Sequence, residues 1–226
     1  MKLEELCQIT SSKRIHVSDY TENGVPFYRG KEIVEKQKGI SEVSTELFIS
    51  NDYFAELQER FGAPEAGDLL LTSVGTLGIP YVVQDEAPFY FKDGNLTWFK
   101  DFRVLDSKYL YHWILSPQGK DSLLGNKIGG LQSALTIRGL NSVQVPIPSI
   151  SEQGIISKNI EAKINDIKLL EASIQQEADP KEPICHLSCR FSNIPQTLSV
   201  HFLHTTKSTC HLACRLCNLP LPFSDH

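Results

Sequence analysis

The chain has 226 residues, of which 41% are hydrophobic and 22% charged. That is enough apolar residue for a real core and too little charge for a disordered or collagen-like chain. The net charge is −5, and neither residues 1–149 nor residues 150–226 are basic overall, which argues against a large phosphate-coating surface and leaves room for a small reading surface. The most apolar stretch, Leu69 to Val83, is broken by Gly75, Gly78 and Pro80, so no membrane span is expected. Met1-Lys2-Leu3-Glu4-Glu5 carries acids where a secretory leader needs a basic and then an apolar run, and a cytoplasmic location is expected.

In chain order, Leu3, Leu6 and Ile9 predict a short amphipathic helix, followed by a loop with Ser18-Asp19 and a turn at Glu22-Asn23-Gly24. A strand over Val25–Tyr28 ends at Arg29-Gly30-Lys31. Residues 46–61 predict a second helix with Ser50 or Asn51 as N-cap and Gly62 as its stop. From Gly67 to Leu105 four β-prone runs (68–72, 81–84, 89–91, 96–99), punctuated by glycine and proline, predict a compact antiparallel sheet. Tyr109 to Leu115 is helical in pattern, Gly125 to Gly130 is a polar loop, and Val143 to Ile147 is a last strand.

At residue 149 the period changes. Ser149-Ile150-Ser151-Glu152 fits a capping box, and Ile160, Ile167 and Ile174 then recur every seven residues, with Ile156, Ile164 and Leu170 widening the stripe. Residues 151–178 predict one helix roughly 42 Å long at 1.5 Å per residue. Its stripe must be covered, either by the chain's own sheet or by another helix. Glu171 interrupts the pattern a strict parallel coiled coil needs.

Beyond residue 180 the composition shifts. Cys185, Cys189, Cys210, Cys214 and Cys217 follow a stretch in which Cys7 stands alone, and Cys-His-Leu-Ser-Cys-Arg at 185–190 recurs as Cys-His-Leu-Ala-Cys-Arg at 210–215. The Cys/His spacing could furnish a zinc shell. Against that, the segment lacks helical or strand periodicity, and it reads instead as an adventitious, poorly ordered extension with no metal assigned.

Catalytic motifs are missing. No Gly-x-Gly-x-x-Gly, P-loop or Asn/Asp-Pro-Pro-aromatic sequence occurs, and Val74-Gly75-Thr76-Leu77-Gly78 reads as a turn. Glu161-Ala162-Lys163 has a nuclease-like spacing but sits on an amphipathic helix as a solvated face, and His16 and His112 are isolated. No cofactor is expected. What remains is recognition: Arg29-Gly30-Lys31 and the loop from Gly125 to Ser133 offer cations, amides and hydroxyls suited to phosphates and base edges, although an ordinary polar surface would look the same.

The ordered set of segments resembles the specificity subunits of type I restriction-modification systems. It runs through Lys13-Arg14-Ile15, Gly24-Val25-Pro26-Phe27-Tyr28-Arg29-Gly30-Lys31-Glu32-Ile33, Gly67-Asp68-Leu69-Leu70-Leu71-Thr72-Ser73-Val74-Gly75-Thr76-Leu77-Gly78, Asp93-Gly94-Asn95-Leu96, Gly130-Leu131-Gln132 with Leu140, and Val145-Pro146-Ile147-Pro148 with Glu152-Gln153. The resemblance implies an α+β target recognition domain over residues 1–150, a spacer and dimerisation helix over 151–178 and the extension over 179–226. It implies a non-catalytic subunit that reads double-stranded DNA and directs modification subunits, and through them a restriction subunit. Members of this family usually carry two such units, so the single unit here implies a half-subunit or truncated form, with a homodimer through Ile156, Ile160, Ile164, Ile167, Leu170 and Ile174 restoring two recognition domains. The DNA-contacting residues it points to are Arg29, Lys31, Ser73, Thr76, Lys92, Asn95, Lys127, Gln132 and Ser133. An alternative is an interaction protein that uses its long helix on a partner without reading DNA.

Overall fold

In a computed structural model, residues 1–178 are described except 41–42, 85–86, 126 and 129–133. The elements in order are α1 (Leu3–Leu6), β1 (Gln8–Thr10), a 3-10 turn at Val17–Asp19, β2 (Tyr20–Thr21), β3 (Val25–Tyr28), α2 (Gly30–Gln37), β4 (Phe48–Ile49) and α3 (Asn51–Phe61). Then follow β5 (Leu69–Thr72), β6 (Pro80–Val82), β7 (Tyr90–Phe91), β8 (Leu96–Lys100), α4 (Ser107–Leu115), α5 (Pro117–Leu124), β9 (Lys127–Ile128), β10 (Ala134–Leu135), α6 (Ile137–Asn141) and α7 (Ile150–Ala178). Contacts divide the chain into Met1–Ile167 and Lys168–His226.

The mixed α+β architecture rests on one antiparallel sheet, ordered β1-β8-β5-β6. Side chains alternate across a strand, and here both faces are covered. Leu69, Leu71 and Phe99 point into a cluster with Leu3, Leu6, Leu110 and Trp113, while Leu70, Leu96 and Trp98 join Tyr28, Ile33 and Phe91 on the other side. Burial on both faces explains why 69–71 is an unbroken leucine run rather than an alternating one. A third cluster, with Phe27, Ile49, Phe54 and Tyr90, belongs to a second sheet ordered β2-β4-β3-β7.

Several elements differ from the sequence expectation, each for a local reason. The single sheet expected between Gly67 and Leu105 is split: β7 leaves its neighbours and pairs in parallel with β3, Phe27 opposite Tyr90. The first helix stops at Leu6, because Ile9 is taken into the sheet opposite Phe99. Residues 48–49 form β4, so the second helix begins only at Asn51, with the Ser50 hydroxyl accepting from Tyr53 N–H at 3.2 Å. Val143 to Ile147 is not a strand. It makes one bridge, Gln144 with Lys2, while Met1 and Val145 exchange two backbone hydrogen bonds at 2.9 and 3.0 Å, and Pro146 has no N–H to extend the ladder. The polar loop at 125–130 contains β9, paired with β10. Helices α2, α5 and α6 were not anticipated. The last two start on Ser116 and Thr136 hydroxyls that accept from Gly119 and Gly139 N–H.

The capping box at Ser149 and Glu152 is formed: Ser149 N–H and Oγ both reach the Glu152 carboxylate, at 2.8 and 2.7 Å. Those bonds hold the Glu152 carboxyl below its ordinary value. Among the described residues of α7 the buried ones are Gln153 and Ser157, both polar. The apolar stripe is not what attaches the helix: Ile160 is half-buried, and Ile156, Ile164 and Ile167 are exposed. Beyond Lys168, Leu170 and Ile174 are exposed as well.

No described helix is long and apolar enough to cross a membrane. Cys7 is buried, which pushes its thiol up to about 12. The cysteines and histidines after residue 180 lie outside the described residues, and among the described residues no three metal-ligating side chains gather.

Gly24 tests the β2–β3 turn. Its φ is +140° and a Cβ there would run into the Ile49 carbonyl of β4, so Gly24→Ala is expected to lower the unfolding free energy by about 2–4 kcal/mol, read from urea denaturation.

Candidate nucleic-acid interface

An open groove of about 640 Å³ lies between α2 and the turn that follows β5. Its α2 wall carries Arg29, Gly30, Lys31, Val34, Glu35 and Lys38, and its other side carries Thr72, Val74, Thr76 and Asn95. Three cations and one carboxylate line it, and two further carboxylates, Glu32 and Glu46, lie behind Arg29. Four of the residues expected to contact DNA, Arg29, Lys31, Thr76 and Asn95, are brought together here from three separate stretches of sequence.

The register of β5 on β8 does this. Thr72 sits opposite Leu96, and Ser73 N–H donates to Asn95 O at 2.8 Å, so the turn after β5 and the residue before β8 share one end of the sheet. The turn is built tightly: Gly78 N–H donates to Thr72 O, Ile79 N–H to Thr72 Oγ1, and Gly75 and Gly78 hold φ near +80° and +75°. Val74 and Thr76 are thereby left exposed at its tip. Helix α2 closes the groove because Ile33 is fully buried under it.

Arg29 is held, not free. Its backbone N–H and its Nη2 both reach the Glu32 carboxylate, at 2.8 and 2.9 Å, and the same Nη2 lies 3.7 Å from Glu46. Glu32 is fully buried. Burial alone would push its carboxyl up, but the hydrogen bonds from the Arg29 guanidinium and the backbone outweigh burial and hold it below the ordinary glutamate value. The same contact raises the Arg29 guanidinium further. Lys31 is exposed and lies 3.9 Å from Glu35 one turn on, which leaves it the more available cation.

Ser73 has a different place from the one expected. It is buried, its hydroxyl donates to Leu71 O at 3.2 Å and shares a 2.6 Å hydrogen bond with Thr97, and its carbonyl accepts from Leu135 N–H. Its surroundings make it a support for the turn and for β10. Lys92 is half-buried and is not among the groove's lining residues, its N–H donating to Tyr28 O. The backbone of Lys127 is in β9, paired through Leu135, whereas Gln132 and Ser133 lie outside the described residues. Glu161 and Lys163 do not converge: Glu161 faces Lys108 and His112 of α4, and Lys163 pairs with Asp166. Burial holds the His112 imidazole below its ordinary value.

Val34, Glu35 and Lys38 in the groove and Glu32 and Glu46 behind it are not among the expected residues, since the sequence reading above predicts no helix over 30–37. The signal was present: Glu32 at the third helical position returns to the Arg29 N–H, and Lys31 with Glu35 has the spacing of a surface pair.

The family model for the type I restriction modification DNA specificity domain matches residues 1–178. The chain belongs to this family. Over 155 residues it is 29% identical to a protein named as a type I restriction enzyme specificity subunit of Haemophilus influenzae, covering 68% of this chain and 37% of that one. It is 24% identical over 196 residues to the type I restriction enzyme MjaVIII specificity subunit of Methanocaldococcus jannaschii, covering 83% and 44%. The chain thus spans less than half the length of these relatives. Among solved structures, a chain of a type I R-M system described for its complex assembly and conformational transition aligns with TM-score 0.57 at 20% identity, over 79% of this chain and 41% of that one. The HsdS subunit from Thermoanaerobacter tengcongensis aligns with TM-score 0.52 at 20% identity, over 80% and 39%. These likenesses establish a shared specificity-domain fold.

The Arg29–Glu32 pair gives a prediction. Removing one partner strands the other charge in the interior, so Arg29→Ala is expected to cost about 2–3 kcal/mol at neutral pH, less than a fully buried pair because Arg29 is one-third exposed. A carboxyl with a lowered folded value stabilises above the unfolded glutamate value and loses that contribution as pH falls through the folded one. The stability difference between wild type and Glu32→Gln should therefore be present above about pH 4.5 and shrink below it, measured by denaturation across pH.

Proposed function

We propose that this chain is a DNA-reading element of a type I restriction-modification complex, contacting double-stranded DNA through the α2 groove. It carries no catalysis of its own and directs modification subunits, which methylate, and through them a restriction subunit, which cuts. The observation that carries this reading is the convergence of Arg29, Lys31, Thr76 and Asn95 on one groove in a chain of the specificity family. The groups divide by chemistry: Lys31 and Lys92 suit phosphates, while the Asn95 amide and the Thr76 hydroxyl suit base edges. Arg29, braced by Glu32, presents an oriented guanidinium. Lys127, Gln132 and Ser133 join this proposal on their residue types, and Ser73 supports the turn from within.

The test is DNA binding by the complex with the modification subunit, against target and scrambled duplexes over a salt series. Lys31→Ala should weaken both about equally, by about three- to tenfold, and reduce the salt slope by about one. Asn95→Ala should weaken the target about tenfold and the scrambled duplex little. Equal binding of target and scrambled DNA by the unmodified complex would sink the reading.

A second proposal comes from the exposed stripe of α7. Ile156, Ile160, Ile164, Ile167, Leu170 and Ile174 form a seam that this chain's own buried clusters do not include, and a second copy of the same helix would cover it. Light scattering of the full chain should give a dimer mass at micromolar concentration, and Ile160→Ser with Ile167→Ser and Ile174→Ser should halve it. An unchanged mass in the triple variant would remove the idea, and leave α7 to dock on a different partner.

A further inference from the structure

The amide of Gln153, one turn into α7, is fully buried, and its three hydrogen bonds all go to main chain. Nε2 donates to Val104 O at 2.9 Å and to Pro148 O at 3.0 Å, and Oε1 accepts from Asp106 N–H at 2.8 Å. Val104 and Asp106 belong to the connection between β8 and α4, and Pro148 to the segment that leads into α7. One side chain therefore ties together the helix, the approach to it and the recognition domain. On the same face Ser157 is buried one turn further with its hydroxyl unpartnered, so it adds no directional bond, and Glu161 beyond it reaches Lys108 at 3.6 Å.

The seam that attaches the helix is polar, and polarity here has a mechanical consequence. Apolar packing is non-directional and tolerates rolling or sliding. Hydrogen bonds weaken steeply when misaligned, and a buried amide that loses its partners costs free energy. A helix held by a saturated, buried amide is held at one angle.

We propose that Gln153 is a positioning residue that sets the angle at which α7 leaves the recognition domain, and through that angle the separation of the two DNA half-sites bound by a pair of such domains. The inference rests on the DNA-reading and helix-pairing proposals above. Tyr109, whose hydroxyl donates to Pro146 O at 2.9 Å, steadies the same approach from α4 and makes a smaller contribution.

The experiment uses the full chain in complex with its modification subunit and duplexes carrying the half-sites that the complex methylates, separated by an increasing number of base pairs. The unmodified complex should show one sharp spacing optimum. Gln153→Met keeps the side-chain length without the amide, and should reduce the preference for the best spacing over its neighbours by about tenfold. Tyr109→Phe removes one hydroxyl and should reduce it by about two- to threefold. Where Gln153→Met fails to fold by circular dichroism, Tyr109→Phe decides by the same ratio. Weakening by one factor at every spacing, with the optimum as sharp as before, would overturn the proposal, since that is what a purely structural amide predicts. Absence of any optimum in the unmodified complex would overturn it differently, by removing the helix pairing on which it rests.

Discussion

The pairing of β5 with β8 is the constraint on which the rest of this structure depends. Four residues of each strand are in register, from Leu69 opposite Phe99 to Thr72 opposite Leu96, and both faces of the pair are buried. A slip of β5 by one residue against β8 would turn Leu70 toward the α4 side and Leu69 and Leu71 toward the side that holds Trp98. Since side chains of different volume fill the two clusters, neither would then pack. The register is therefore set by two cores at once.

That register also separates two ends of the domain. At one end it brings the turn after β5 beside Asn95, and α2 closes over them to form the groove. At the other, β8 runs into the connection that Gln153 grips. The five residues of β8 span roughly 16 Å at about 3.3 Å each. A rigid strand thus stands between the groups suited to DNA and the anchor of the helix.

The polar groups in the domain are used in two different ways. Glu32 and Gln153 are both fully buried and both saturated. Glu32 orients a cation toward a surface, whereas Gln153 joins pieces of backbone. In each case direction is what a hydrogen bond adds and hydrophobic burial cannot.

Much of this was legible in the sequence. The capping box and seven-residue period of α7, the β-prone runs between 69 and 99, the stop of the second helix at Gly62 and the turn at Gly75–Gly78 all follow from local chemistry, namely caps, periodicity and glycine. The membership came from the resemblance of the ordered segments, and the lining of one groove by Arg29, Lys31, Thr76 and Asn95 is a tertiary result. Tertiary structure alone decided what depends on partners distant in sequence. Residues 90–91 pair with β3 rather than with their neighbours, Ser73 is buried because Thr97 and Leu135 lie against it, and Ile9 is strand because β8 offers an edge. The face that attaches α7 could not be read from its periodicity, because a hydrophobic pattern marks the stripe that needs covering and not the buried amide by which Gln153 holds the helix.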